Sequence, residues 1–260
     1  MKKTVSEIAS ILLQAEKSKV PCPPIRGFFD GKDLKNAYRV QQFITDQKIA
    51  VGQKIVGKKI GLTSEKVQAQ LGVNEPDFGI LLNTMQIQNG ETLSFSKLMQ
   101  PKAEAEIAFI LKDDLLQTNN SLEDLKNAID FAVAAIEIVG SRIDNWNIQI
   151  TDTIADNASA SHFVLGEKKV ALENFNLESC GMHMEINGQK VSEGSGKACL
   201  GNPLNAAVWL ADKMMEMGNP LKKGEIILSG ALGPMVNLNR NDKISAEIDK
   251  LGKVEFSVSE

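Results

Sequence analysis

Between Phe131 and Val139 every residue but one is apolar, and the exception is a carboxylate, Glu137. A run without a polar face is buried on both sides, so the rest of the chain must supply cover for both. A charge inside such a run has to be neutralised, paired or bound to a metal. Arg142, just downstream, is the local candidate for an ion pair, and a metal is the other solution.

Pro101 to Leu111 poses the same problem twice. Read as a strand of period two, it puts Glu104, Glu106, Ala108 and Ile110 on one face and Ala105, Ile107, Phe109 and Leu111 on the other. Charges turned to solvent are the ordinary arrangement for glutamate, but the apolar continuation of the same face argues against it here. A cation between the two carboxylates removes both their repulsion and their burial cost. With Glu137 as a third donor and only two histidines in the chain, the ligand set points to Mg²⁺ or Mn²⁺ rather than zinc.

The 260 residues suffice for one large domain or a domain with an appendage. A net charge of -4 without a basic run argues against nucleic-acid binding. Cys22, Cys180 and Cys199 are odd in number, widely spaced and free of any CxxC, so neither a zinc site nor a disulfide framework is expected. No stretch reads as a signal peptide or a membrane span, and a reducing cytoplasm is the expected location.

Thr4 with Glu7 predicts a capped helix carrying Ile8, Ile11, Leu12 and Ala15, broken at Pro21-Cys22-Pro23-Pro24. A second helix is expected from Asp33 through Ile44. Residues 1–50 thus read as a small helical region packed on the main body, and 51–260 as a strand-rich catalytic domain. Gly52 to Lys58 matches the first seven positions of a phosphate-binding loop, but Lys59 stands where Ser or Thr should hold magnesium. A strand ending in the turn Gly61-Leu62-Thr63 fits better. Ser64 then caps a short helix with Val67 and Leu71, and Asn74 to Gly79 reads as a turn-rich loop. Ser121 with Asp124 opens a helix carrying Leu122, Leu125 and Ile129, and 152–161 reads as a small polar loop. Further on come a hairpin turning at Asn187-Gly188, a helix capped by Asn202 with Pro203 at its first position, a strand from Ile226 into the glycine-rich Ser229 to Pro234, and a last hairpin at Lys250-Leu251-Gly252. The sum is an α+β protein.

Most other polar residues have ordinary readings. Lys59 is either a solvated charge or, beside the tight Gly61 turn, an acid/base candidate. Asp77 reads by propensity as a turn residue, and Asp156-Asn157-Ala158-Ser159 as an Asx turn. His162 and His183 lie in no ligand spacing, and Met214, Met215 and Met217 read as helix packing. No glycine-flanked serine supports a nucleophilic triad.

Taken in order, several blocks resemble the fumarylacetoacetate hydrolase superfamily, and within it the hydratases of aromatic meta-cleavage pathways. They are Lys59 to Thr63, Gln70 to Val73, Pro76-Asp77-Phe78-Gly79, Pro101 to Ile107, Glu137 to Arg142, Ile154 to Ser159, Pro203 to Leu210 and Ser229 to Met235. The resemblance covers nearly the whole chain and implies a mixed β-roll or sandwich with the helical N-terminal region beside it. It implies Mg²⁺ or Mn²⁺ on Glu104, Glu106 and Glu137, an acid/base pair of Lys59 and Asp77, and substrate contacts from Leu62, Ser159, Gly230 and Ala231. The reaction it implies is addition of water to 2-hydroxypenta-2,4-dienoate, giving 4-hydroxy-2-oxopentanoate through an enolate stabilised by the metal. Related alternatives are decarboxylation of 4-oxalocrotonate and hydration of 2-oxohept-4-ene-1,7-dioate. Decarboxylases of this group tend to carry an apolar residue where Asp77 stands, which favours the hydratase. The resemblance also implies a homo-oligomer, a pentamer or decamer, able to assemble with a sister decarboxylase.

Overall fold

A computed structural model describes residues 2–31, 33–64, 68–69, 73–174 and 176–260. The short helix expected over Val67 and Leu71 lies outside the described residues. The N-terminal segment forms α1 (Val5–Ser18) and α2 (Leu34–Ala50). Thr4 and Glu7 make the expected capping box, and the Asp33 side chain accepts from the Asn36 amide at the start of α2. Their apolar faces bury Ile8, Leu12, Ala37 and Val40, each worth roughly 1.5–3 kcal/mol for the larger side chains.

Thirteen strands follow among the described residues: β1 (Ile55–Gly61), β2 (Asp77–Leu82), β3 (Gln86–Ile87), β4 (Thr92–Leu93), β5 (Lys102–Leu111), β6 (Ile129–Val139), β7 (Ala160–Leu165), β8 (Gly181–Ile186), β9 (Gln189–Ser195), β10 (Ile226–Ala231), β11 (Val236–Asn237), β12 (Lys243–Ile248) and β13 (Gly252–Val258). Three more helices are α3 (Leu122–Ala128), α4 (Ile150–Ala155) and α5 (Pro203–Glu216). One sheet has the order β2-β1-β10-β5-β6-β7-β3, with β11 also paired to β5, and the other β4-β13-β12-β8-β9. The second sheet packs through β12 and β13 onto β6, and α5 lies against β10 and β1. The second sheet thus covers one face of the apolar run of β6, and Ala132 to Val139 are all buried.

The first sheet curls on itself. β2 and β3 stand at opposite ends of its strand order, yet only residues 83–85 separate them in the chain. At the seam the Asn157 side chain acts as a missing strand: Ile80 N donates to its Oδ1 at 2.7 Å, and its Nδ2 donates to Ile80 O at 2.9 Å. The N-terminal helices are bonded to this same region. Gln41 Nε2 donates to Phe78 O (2.9 Å) and Ile154 O (3.0 Å), and Tyr38 stacks on Phe78. The buried Asp152 carboxylate accepts from the amides of Ile25, Arg26 and Gln149 and pairs with the Arg26 guanidinium.

Several local expectations need correction. The polar stretch 152–161 is not a loop throughout, because α4 occupies 150–155 with every residue buried and β7 begins at Ala160. Asp152, polar in sequence, is consumed by backbone donors. Asp77 is no turn residue: it opens β2 and is 1% exposed. Ile129 does not continue α3 but begins β6. Met214 packs in the core, whereas Met217 is exposed.

Candidate active site

Glu104 on β5 lies directly opposite Glu137 on β6, and Glu106 opposite Ala135. Directly opposed residues of an antiparallel pair share a face, as do residues two apart on one strand, so the three carboxylates converge. One oxygen from each lies within 4.8 Å of the others. Glu106 and Glu137 are fully buried, while Glu104 keeps partial exposure at a cleft. Like charges this close destabilise the sheet that carries them. Burial, then repulsion from Glu137, pushes the Glu104 carboxyl up to about 7. The same two causes raise Glu106 well above the usual range, and burial raises Glu137.

Oxygens of this cluster lack donors. Glu106 Oε1 and both oxygens of Glu137 are buried without a hydrogen bond. Lys59 Nζ comes within 3.2 Å of Glu137 Oε2, close enough for ion pairing but out of hydrogen-bond alignment. Three converging, under-satisfied carboxylates fit a hard divalent cation, which would replace their repulsion with attraction. The expected alternative, Arg142 on Glu137, is not what forms. Arg142 pairs with Asp156, donates to Asp156 O as well, and thereby braces the turn before β7.

Lys59 and Asp77 arrive from neighbouring strands. β1 and β2 are antiparallel with Gly61 opposite Asp77, and Lys59 sits two residues before Gly61 on the same face. A Cβ on Gly61 would stand 2.2 Å from Asp77 Oδ1 and 3.2 Å from Lys59 Nζ. The missing side chain is what lets the carboxylate and the ammonium share this corner. Burial opposes the Lys59 charge, but Glu137 first, then Asp77, Glu104 and Glu106, outweigh it and hold the ammonium firmly protonated. Asp77 is pushed up to about 6 by burial, against the pull of Lys59. Its Oδ2 is buried with no partner.

A cleft of about 620 Å³ opens onto these groups, lined by Lys59, Leu62, Asp77, Glu104, Ser159 and Ala231 among others. Six of the nine sequence-selected residues therefore line one cavity. Glu106 and Glu137 lie behind its wall within the carboxylate cluster. Gly230 is also set back, at φ +108 in a register break of β10, and its N–H donates to Glu106 Oε2 at 2.8 Å. A Cβ there would come 2.3 Å from Thr63 Oγ1, so the position demands glycine. Asn157, Ala158 and Ser159 form three consecutive left-handed residues. They are held by Asp156, by the Ile80 seam and by Lys59 Nζ on Ala158 O at 3.1 Å. Sequence reasoning missed Thr153, Trp146, Ile148 and Lys102, all in the cleft wall. Only Lys102 carried a signal, since it shares the period-two face of Glu104.

Comparison with known proteins identifies a family and several relatives. The family profile described as Fumarylacetoacetate (FAA) hydrolase C-terminal matches residues 54–259. The chain is 46% identical over 257 residues to a protein of Burkholderia vietnamiensis named 2-keto-4-pentenoate hydratase, covering 99% of this chain and 98% of the relative. It is 48% identical over 250 residues to 2-keto-4-pentenoate hydratase 1 of Dechloromonas aromatica, covering 96% and 95%. Among solved structures, 4-oxalocrotonate decarboxylase of Pseudomonas putida, complexed with magnesium and adipate, superposes with a TM-score of 0.93 at 32% identity over 99% of both chains.

Proposed function

The chain belongs to the fumarylacetoacetate hydrolase family, and from that premise we propose that it hydrates 2-hydroxypenta-2,4-dienoate to 4-hydroxy-2-oxopentanoate in the breakdown of aromatic compounds. The observation that carries the reading is the corner where Asp77 and Lys59 meet beside the glutamate cluster. We assign Glu104, Glu106 and Glu137 to a divalent cation, Mg²⁺ or Mn²⁺. When bound, it supplies Lewis-acid withdrawal of charge from the 2-oxygen of the substrate.

The remaining chemistry falls to the chain. Lys59, beside Glu137 and Asp77, delivers a proton to C5 as the 2-hydroxyl loses its own. The double bond that remains, between C3 and C4, is conjugated to the 2-oxo group and polarised at C4. Asp77, ionised above about 6, takes a proton from the water that adds there, and C3 is protonated to complete the product. Leu62, Ser159 and Ala231 shape the cleft around the substrate, and Gly230 acts through its amide on Glu106.

The competing reading is decarboxylation, favoured by the likeness to the Pseudomonas putida structure. It needs no activated water and leaves Asp77 without a task. Loss of dienol absorbance without release of CO₂, abolished by a chelator and strongly slowed by Asp77→Asn, supports the hydratase. Release of CO₂ from 4-oxalocrotonate supports the decarboxylase, and a product panel including 2-oxohept-4-ene-1,7-dioate reads the chain length.

Residues 51–260 are read as the catalytic unit and 1–50 as a helical brace, in keeping with the bonds from Gln41 and Asp152. Exposed Ile49, Val51 and Ile55 offer apolar surface for a second copy, in line with a homo-oligomer of five or ten subunits. Light scattering measures that state, and co-elution tests association with a decarboxylase. A cytoplasmic location accords with three free, buried cysteines; among the described residues no helix is long and apolar enough to cross a membrane.

A further inference from the structure

The outer wall of the cleft holds an aromatic residue in a conformation that aromatic residues avoid. Trp146 has φ +54, its neighbour Asn145 φ +55, and Gln100, which binds both, φ +48. None is glycine, and a bulky residue in the left-handed region persists only where its surroundings enforce it. The enforcement is visible. Trp146 Nε1 donates to Gln100 O at 3.0 Å, and Asn145 N donates to Gln100 Oε1 at 2.8 Å. Gln100 Nε2 in turn donates to Ser141 O and Ile143 O at 2.9 and 2.7 Å. Strain stored so deliberately beside a cleft marks the ring's position as the thing preserved.

The ring's partner is Lys102, whose Nζ stands 4.6 Å from its centroid. Lys102 opens β5, on the same face as Glu104 and one pleat further out, and both line the cleft. Among the described residues of the cleft wall, Lys59 and Lys102 are the two cations. Lys59 is committed to Glu137 and Ala158 O, whereas Lys102 forms no ion pair with a described carboxylate. Its charged neighbour is Glu104, one pleat inward, and the apolar Val139, Ile148 and Met235 also line the cleft. An ammonium without an ion-pair partner, fixed over an indole, is a preformed counter-charge for an anion entering the cleft.

We infer that Lys102, clamped on Trp146, is the subsite for a substrate carboxylate. The inference rests on the 2-oxo acid reading of the site. Two carboxylates fit this chemistry: the one next to the 2-oxo group, present in every such substrate, or the remote one of a dicarboxylate. The former makes Lys102 a general binding residue, and the latter makes it the determinant of side-chain class.

The chain has two tryptophans, so Trp209→Phe leaves Trp146 as the sole indole reporter. In that background the Mg²⁺-loaded protein is titrated with 2-oxopentanoate and with 2-oxoadipate while Trp146 emission is followed. Lys102→Met is expected to weaken binding about tenfold or more, and Lys102→Arg to restore most of it. Equal loss for both acids assigns the carboxylate beside the oxo group; loss for 2-oxoadipate alone assigns the remote one. Affinities for both acids within about twofold of the parent overturn the subsite. Lys102→Gln, checked by its melting curve, repeats the measurement in a second background. If dienoate hydration is absent but binding depends on Lys102, the hydratase reading falls and the subsite stands. Hydration with Lys102-independent binding has the opposite meaning.

Discussion

Replacing Glu104 by Gln should make the metal-free protein more stable and the metal-loaded protein less so. In the fold the Glu104 carboxyl is raised from 4.5 to about 7 by burial and by Glu137. Ionising it therefore costs more in the folded chain than in the unfolded one. That penalty is absent below the unfolded value of 4.5, grows as pH rises, and is complete above about 7. The difference corresponds to about 3 kcal/mol, an upper value because Glu104 keeps some exposure at the cleft. For a chain of this size that is a gain in melting temperature of roughly 6–10 °C at pH 8 in chelator. Mg²⁺ at a hundred times its dissociation constant should stabilise the parent by about 2.7 kcal/mol, and the variant much less. Scanning calorimetry at pH 5 and pH 8, with Mg²⁺ and with chelator, reads all four corners. Melting of the variant below the parent in chelator at pH 8, or no response of the parent to metal, would refute the reasoning.

Other outcomes follow from single residues. Asp77→Asn should lower kcat by about a hundredfold or more while leaving the Mg²⁺-dependent rise in melting temperature intact, which stopped-flow absorbance and calorimetry separate. Parent activity should fall on the acid side as pH drops through about 6, where Asp77 takes up its proton, and the limb should vanish from the residual activity of Asp77→Asn. Gly230→Ala forces a Cβ against Thr63 at φ +108 and displaces the amide from Glu106; titration calorimetry should show Mg²⁺ binding weakened about tenfold or more, with stability lower by roughly 1–3 kcal/mol. Burial, with Lys19 and Lys97 nearby, pushes His162 down to about 4 from 6.5. Its folded form therefore refuses a proton that the unfolded chain accepts, and stability should fall by up to about 3 kcal/mol between pH 6.5 and 4. Urea midpoints of His162→Gln across that range should lose this part of the slope.

What could be read from sequence was whatever carried a local contradiction. Glu104, Glu106 and Glu137 announced themselves as charges in apolar runs, and the capped helices and the hairpins at Asn187-Gly188 and Lys250 to Gly252 as local turn chemistry. Asp77 showed no such conflict. Its environment is created by pairing β2 against β1, and no window of sequence around Pro76-Asp77-Phe78 contains Gly61 or Lys59. Arg142 was offered as a partner for Glu137, in the apolar run just before it, whereas the fold carries it to Asp156. Asp152 looked like loop polarity because its partners, the amides of Ile25 and Arg26, lie in the N-terminal segment. The Trp146 clamp depends on Gln100 in the same way.

β5 and β6 lie in the middle of their sheet, each with a strand on both sides and the second sheet above β6. β2 lies at the end, paired with β1 alone and meeting the turn before β7 through the amide of Asn157. A change among the central strands must satisfy two ladders and a packed layer at once, whereas a change at the end must satisfy one ladder, the Asn157 side chain and the packing of α2 on Phe78. The three glutamates thus sit on the two central strands, and Asp77 on an end strand that is buried throughout. On the hydratase reading, the means of drawing electrons toward a 2-oxo acid is thus built on the middle of the sheet and the means of handling water on its end.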